Sequence, residues 1–279
     1  MSKIGFIDYY IDEWHANNYP AWIREAAAAG GKKWDVAYAW AETVKEGGMD
    51  TAAWCAEHNV QMIESLEEIV ALSDALIVLS PDNPEHHERL AELALKSGKP
   101  VYIDKTFSPD LASGERMFAL AAEHGTPLFS SSALRFSEEL LQFAASDVLE
   151  FTAVTGPGQF GNYAVHQLEM IVALMGPGAK RMKSLSTANG RLFVIDYGDG
   201  RQATMQQLEA APFQVLLQMK DGQGAALGCS NFFPGLIRAM LDFFESGKPP
   251  VPQAETLEIM ALIEAGRRAL AEQDQWVEI

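Results

Sequence analysis

The chain has 279 residues, 48% of them hydrophobic and 21% charged, the balance of a globular protein long enough for two domains with separate cores. Its formal net charge of −17 argues against nucleic acid or an anionic membrane surface as a partner. Two cysteines, Cys55 and Cys229, supply neither a disulfide framework nor a metal-ligand spacing, and no segment is apolar enough to span a bilayer.

In chain order, the opening MSKIGFIDYY lacks the basic start and apolar core of a signal peptide, so a reducing, cytoplasmic setting is expected. Lys3 to Ile7 reads as a first strand, and Asp8 to Pro20 as a polar-aromatic loop. Within and after that loop, Trp14, His15 and Trp22 are candidates to stack on a sugar, although packing is the commoner role of such aromatics. Ala21 to Ala29 reads as a helix stopped by Gly30-Gly31, Trp34 to Trp40 as a second strand and Asp50 to Glu57 as a helix. Val60 to Ile63 is a short strand and Leu66 to Leu72 a short helix.

Ala75 to Leu79 is a continuous apolar run, as in a parallel strand buried on both faces, and Ser80-Pro81 closes it. Glu85 to Lys96 sets Leu90, Leu93, Ala94 and Leu95 on one helical stripe, with Ser97-Gly98 as the stop. A second apolar run, Val101 to Ile103, delivers Asp104-Lys105-Thr106 at its carboxyl end. Strand, crossover helix and strand form a βαβ unit of nearly fixed handedness. Ligands of open α/β sheets bind beyond the carboxyl ends of the strands, where Asp82, His86-His87 and Lys105 are expected. Adjacent histidines point apart on a helix, so a helix start and solvent contacts are expected for them rather than a metal, and no metal site is predicted. Leu111 to His124 (a helix) and Pro127 to Ser130 (a strand) complete a doubly wound pattern.

The composition changes after Phe136. Ser137 to Ala145 reads as helical and Leu149 to Thr155 as a strand. The glycine-rich stretch from Gly156 to Asn162 enters a helix from Tyr163 to Met175, stopped by Gly176-Pro177-Gly178. Arg191 to Tyr197, Arg201 to Glu209 and Phe213 to Asp221 are candidate strands, with turn signals at Tyr197 to Gly200 and at Asp221-Gly222. Helices over Leu236 to Glu245 and Glu255 to Glu272 close the chain. The fold class expected is α/β: a Rossmann-like doubly wound domain over residues 1–130, then an α+β domain with an open, mainly antiparallel sheet over residues 131–279.

Ser80-Pro81-Asp82, His86 or His87, Gly98-Lys99 and Asp104-Lys105-Thr106 resemble, in order and spacing, the glucose–fructose oxidoreductase/inositol dehydrogenase (Gfo/Idh/MocA) family. There a strand ending in Thr-Pro-Asn leads through a His-containing helix and Gly-Lys to a strand ending in Glu-Lys-Pro. The resemblance extends to Arg135-Phe136, to His166 and Glu169 in the places of a His-x-x-Asp, and to the ending from Gly247 to Leu270. It implies an oxidoreductase acting on a sugar, inositol or sugar acid with NAD or NADP, and a homo-oligomer formed through the open sheet. It implies cofactor contacts at Asp8, Tyr10, Ser80, Pro81, Asp82 and Asp104, and substrate contacts at Arg135 and Asn162. Lys105, His166 and Glu169 become a candidate acid/base set. His166 and Glu169, three apart, share a helix face, and the proton affinity of histidine suits the task. The bland reading makes His166 a satisfied core histidine, Glu169 a solvated helix face, Arg135 half of a domain-interface salt bridge and Lys105 a surface charge.

One stretch departs from the family. Asp8, Tyr10 and Glu13 stand where the glycines of Gly-x-Gly-x-x-Gly belong, and their side chains obstruct the close approach of backbone to diphosphate. The second strand ends without an acidic residue to grip a ribose, unless Glu42 reaches it. Ordinary dinucleotide binding through this loop is therefore expected to be lost or badly weakened. Two further readings follow: a cofactor-independent carbohydrate isomerase or lyase, and a non-catalytic binding subunit.

Overall fold

The computed structural model describes residues 1–144 and 147–279. Contacts divide the chain into two units, Met1–Ser131 with Leu236–Pro252, and Ser132–Gly235 with Gln253–Ile279.

Unit 1 alternates strands and helices: β1 (Ser2–Tyr10), α1 (Trp14–Ala29), β2 (Trp34–Thr43), α2 (Thr51–His58), β3 (Gln61–Met62), α3 (Leu66–Leu72), β4 (Ala75–Val78), α4 (His87–Leu95), β5 (Val101–Ile103), α5 (Leu111–Glu123) and β6 (Leu128–Phe129). Its strands pair in parallel in the order β3-β2-β1-β4-β5-β6, so the direction of winding reverses between β1 and β4. Every residue of β4 and β5 is buried, which is why both read as unbroken apolar runs. Gly5 lets α3 close on β1, because an added Cβ would collide with Ser73 Oγ and come within 2.9 Å of Ile69 Cγ1.

The first turn differs from its sequence reading. β1 runs on to Tyr10 and α1 begins at Trp14, so most of the expected loop is regular structure. Pro20 lies inside α1, where proline ordinarily interrupts a helix. Tertiary packing overrides that penalty: Ala16, Tyr19, Pro20, Ile23 and Ala27 make one buried stripe.

Unit 2 contains α6 (Glu138–Leu141), β7 (Leu149–Gly156), α7 (Phe160–Met175), β8 (Arg181–Ser186), β9 (Gly190–Asp196), β10 (Gln202–Leu208), β11 (Gln214–Met219) and β12 (Gly224–Leu227). After α8 (Phe232–Ser246), it resumes with α9 (Gln253–Ala271) and β13 (Val277–Glu278). The sheet order is β12-β11-β7-β10-β9-β8-β13, antiparallel except between β7 and β10. One face is buried through Ala203, Met205 and Gln207 of β10, while Leu185, Leu208 and Leu216 are exposed. α7 starts at Phe160, within the glycine-rich stretch, because that ring packs on Phe193 at 5.0 Å and against Gly266, where a Cβ would collide with it. The helix expected over residues 137–145 is reduced to α6, and Ala145 lies outside the described residues.

From Leu236 onward α8 belongs to unit 1, whereas a continuous second domain from residue 131 would include it in unit 2. The cause is aromatic packing. Phe243 meets Phe129 edge-on at 4.8 Å and Phe244 meets Trp34 at 5.5 Å, with Lys32 paired to Asp242 at 2.8 Å. Among the described residues no helix is long and apolar enough to cross a membrane.

Candidate functional site

In unit 1 the carboxyl ends of β1, β4 and β5 carry a cluster of polar side chains. Asp8 is wholly buried; its Oδ1 accepts from Ser80 Oγ at 2.8 Å and from Tyr9 N at 2.7 Å. Its Oδ2 is buried with no partner among the described residues. Burial, reinforced by the charge of Glu13, holds the Asp8 carboxyl well above the usual carboxylate range. Ser80 closes β4 in the left-handed region, at φ +67°.

Asp104 is also buried, and its Oδ1 accepts from Lys105 N at 2.8 Å and from Tyr102 OH at 3.0 Å. Lys105 is half-buried, donates through Nζ to Pro81 O at 3.3 Å, and is joined to Thr106 by a cis peptide bond. Asp82 is exposed. Tyr10 is half-buried, with Lys45 Nζ 5.3 Å from the centre of its ring.

Two residues enter this cluster in roles that the sequence did not disclose. His15 places Nδ1 at 3.2 Å from Glu13 Oε2 and 3.5 Å from Asp104 Oδ2, so it packs among carboxylates rather than presenting a face to a sugar. Burial disfavours its charge, but Asp104 and then Glu13 outweigh that and raise its pKa above the usual histidine value. Contrary to the expectation of solvent contacts, His87 is fully buried, with Nδ1 at 3.0 Å from Phe107 O and Nε2 near Leu79 O and 3.1 Å from Ser80 O. Burial lowers its pKa against the pull of those carbonyls. His86 instead lies against Tyr9, with ring centres 4.0 Å apart. Among the described residues no group of three or more His, Cys, Asp or Glu is arranged to hold a metal ion.

The residues at β1 do not fit a dinucleotide in the ordinary mode. The Asp8 side chain fills the strand end that such a ligand approaches through bare backbone, and its orphaned oxygen adds an acid where the ligand is anionic. Glu42, the candidate for the ribose, is ion-paired to Arg89.

In unit 2 a buried network supports one half-exposed imidazole. His166, on α7, has Nδ1 at 2.7 Å from Ser132 Oγ and makes edge contacts with the rings of Tyr163 (5.6 Å) and Phe213 (5.9 Å). The Ser132 hydroxyl also accepts from Leu134 N at 3.3 Å. Glu169 is buried, not solvated: Oε2 accepts from Ser132 N at 3.2 Å and Oε1 from Arg135 Nε. Arg135 also donates through Nη1 to Glu255. The guanidinium is thus held by two carboxylates of its own unit, while its Nη2 is buried without a partner among the described residues. Asn162 is exposed in the first turn of α7. Ser132 was not singled out from sequence; the only signal is the serine run at 130–132 just before Arg135-Phe136.

A parallel sheet of this order, with a polar cluster at its carboxyl ends, is a doubly wound dinucleotide-type fold. Residues 26–132 match the model of an oxidoreductase family with an NAD-binding Rossmann fold, Gfo/Idh/MocA. The uncharacterized oxidoreductase YhhX of Escherichia coli (strain K12) is 27% identical over 139 residues, which is 42% of this chain and 40% of that protein. The chain therefore aligns with well under half the length of that relative. A putative myo-inositol dehydrogenase from Sinorhizobium meliloti superposes with a TM-score of 0.80 at 13% identity, covering 100% of both chains. GenD2 from gentamicin A biosynthesis, solved in complex with NAD, gives 0.74 at 15% identity, covering 100% of this chain and 97% of that one. The likeness to the Gfo/Idh/MocA family thus covers residues 26–132, and the fold of the chain is that of these solved structures. The matched segment begins inside α1, beyond the β1–α1 turn in which this sequence departs from the pattern.

Proposed function

We propose that the chain carries out acid–base chemistry on a small polyhydroxylated molecule of the sugar, inositol or sugar-acid class, with His166 as the proton-transfer group. The observation that carries this reading is the 2.7 Å contact between His166 Nδ1 and Ser132 Oγ, backed by Glu169, Arg135 and Glu255. A histidine held through one nitrogen has a fixed ring orientation, as proton transfer to or from a hydroxyl requires. Glu169, committed to Arg135 and the Ser132 amide, is a positioning residue in this scheme. The polyol class is suggested by the family and by a myo-inositol dehydrogenase among the solved structures of this fold.

Because the β1–α1 turn does not fit a dinucleotide, proton transfer is proposed without a nicotinamide step. This is isomerase- or lyase-type chemistry on an oxidoreductase scaffold. A second reading, nicotinamide-dependent oxidation of the same class of substrate, is favoured by the NAD-binding description of the family matched over residues 26–132.

Calorimetric titration with myo-inositol and a panel of sugar acids, followed by NMR detection of solvent deuterium entering carbon–hydrogen bonds, tests both. Exchange without nicotinamide supports the first reading, and exchange or oxidation only with NAD or NADP supports the second. His166→Ala is expected to slow the reaction roughly a hundredfold or more, the usual contribution of a general base. An unchanged rate in that variant would remove both readings.

A further inference from the structure

The amides that open α1 are engaged by the chain's own carboxylate. Glu13 stands in extended backbone just before the helix, at φ −139° and ψ 167°. Its Oε2 accepts from His15 N at 2.7 Å and its Oε1 accepts from Ala16 N. In a dinucleotide fold the diphosphate sits at this place, on the first amides of the helix and at the positive end of its dipole. The Glu13 carboxylate, only 4% exposed, presents two oxygens and a negative charge to the same donors.

Its surroundings show a built arrangement rather than a chance contact. His15 lies against Glu13 Oε2 at 3.2 Å, with Asp104 beyond it at 3.5 Å, so an imidazole is shared between two buried carboxyl groups. A second, independent observation comes from the other side of the turn. Asp8 is fully buried, its Oδ1 is used by Ser80 and Tyr9, and its Oδ2 has no partner among the described residues. A phosphate arriving here would have to displace the Glu13 carboxylate and find room beside the buried Asp8 side chain.

We infer that Glu13 is an internal replacement for the diphosphate, so that unit 1 keeps its β1–α1 turn closed with an anion of its own. A ligand at the carboxyl ends of this sheet then carries no phosphate on α1. The nicotinamide-free form of the proposed function shares this premise, whereas the acid–base role of His166 rests on unit 2, so failure here leaves that role standing and loss of activity in His166→Ala does not bear on Glu13.

The test is a pair of NMR titrations that follow the backbone amides of His15 and Ala16, with inorganic pyrophosphate and with NAD as the probes. In the wild-type chain neither probe is expected to shift these amides. In Glu13→Gly the carboxylate is gone while the helix keeps a residue acceptable at its N-cap. There pyrophosphate is expected to shift both amides saturably, with an affinity roughly tenfold or more above wild type. A far-UV melt establishes that the variant is folded, and Glu13→Ser, which retains a short cap, replaces it if it is not. Saturable shifts of these amides in the wild type with either probe would overturn the inference. So would a folded variant whose amides ignore pyrophosphate, because the carboxylate would then not be what closes the turn.

Discussion

Two turns of one sheet have taken opposite courses. After β4 the chain is held by an uncharged device: the buried His87 ring spans carbonyls of Phe107, Leu79 and Ser80 and ties α4 to the ends of two strands. After β1 the turn is held by ionisable groups, with Asp8, Glu13 and Asp104 converging around Ser80 and His15. The family match contains the first of these turns whole and begins beyond the second. The contrast teaches that apolar strands and the packing of the crossovers carry the architecture. The turn that addresses a ligand can then change its chemistry while the sheet order stays the same.

That contrast can be broken by comparing two variants in urea denaturation. His87→Ala leaves a cavity and removes the one ring N–H available to the carbonyls of Phe107, Leu79 and Ser80, which is expected to cost about 3 kcal/mol. Glu13→Ala removes a helix cap from α1 and is expected to cost about 1 kcal/mol. A first-turn variant more destabilising than the crossover variant would reverse the assignment of which turn is structural.

What could be read in the sequence follows the same division. The β4–α4–β5 crossover was legible because Ala75 to Leu79 and Val101 to Ile103 are unbroken apolar runs with Gly98 as the stop between them. The start of α1 was not. Glutamate is outside the usual set of N-cap residues, and Pro20 signals a break that packing overrides. β8, β12 and β13 escaped notice because two are very short and Arg181–Ser186 has few apolar residues; their pairing is decided by neighbours distant in sequence. In unit 2 the spacing of His166 and Glu169 was visible. That Glu169 is buried against Arg135, which also reaches Glu255 across 120 residues of chain, is tertiary information with no local period. The adjacent pair His86-His87 illustrates the limit: one ring lies against Tyr9 and the other is sealed in the core, and their shared composition does not say which.

The smallest expected effect is the pH dependence that the first turn imposes and the crossover does not. His15 has a raised pKa, so it binds its proton more tightly in the folded chain. The stability it adds is complete below the unfolded histidine value of about 6.5 and is lost as pH climbs through its folded value. His58 and His87 are lowered, so their contributions are already complete above about 6.5 and add no slope there. The thiols of Cys55 and Cys229, pushed up to about 11 by burial, enter only above an unfolded value of about 8.5. Asp8, also raised, acts in the same direction as His15 until it is ionised. Between those limits, stability should fall with rising pH by at most about 1.4 kcal/mol per pH unit for each of these two protons. Asp104 is the largest of the influences raising His15, with Glu13 next and Lys105 opposing. Asp104→Asn should therefore lower the midpoint at which the His15 ring titrates by NMR. A wild-type midpoint at or below that of an ordinary histidine would mean that the two carboxyl groups do not hold the ring charged, and the first turn would then be closed by packing rather than by charge.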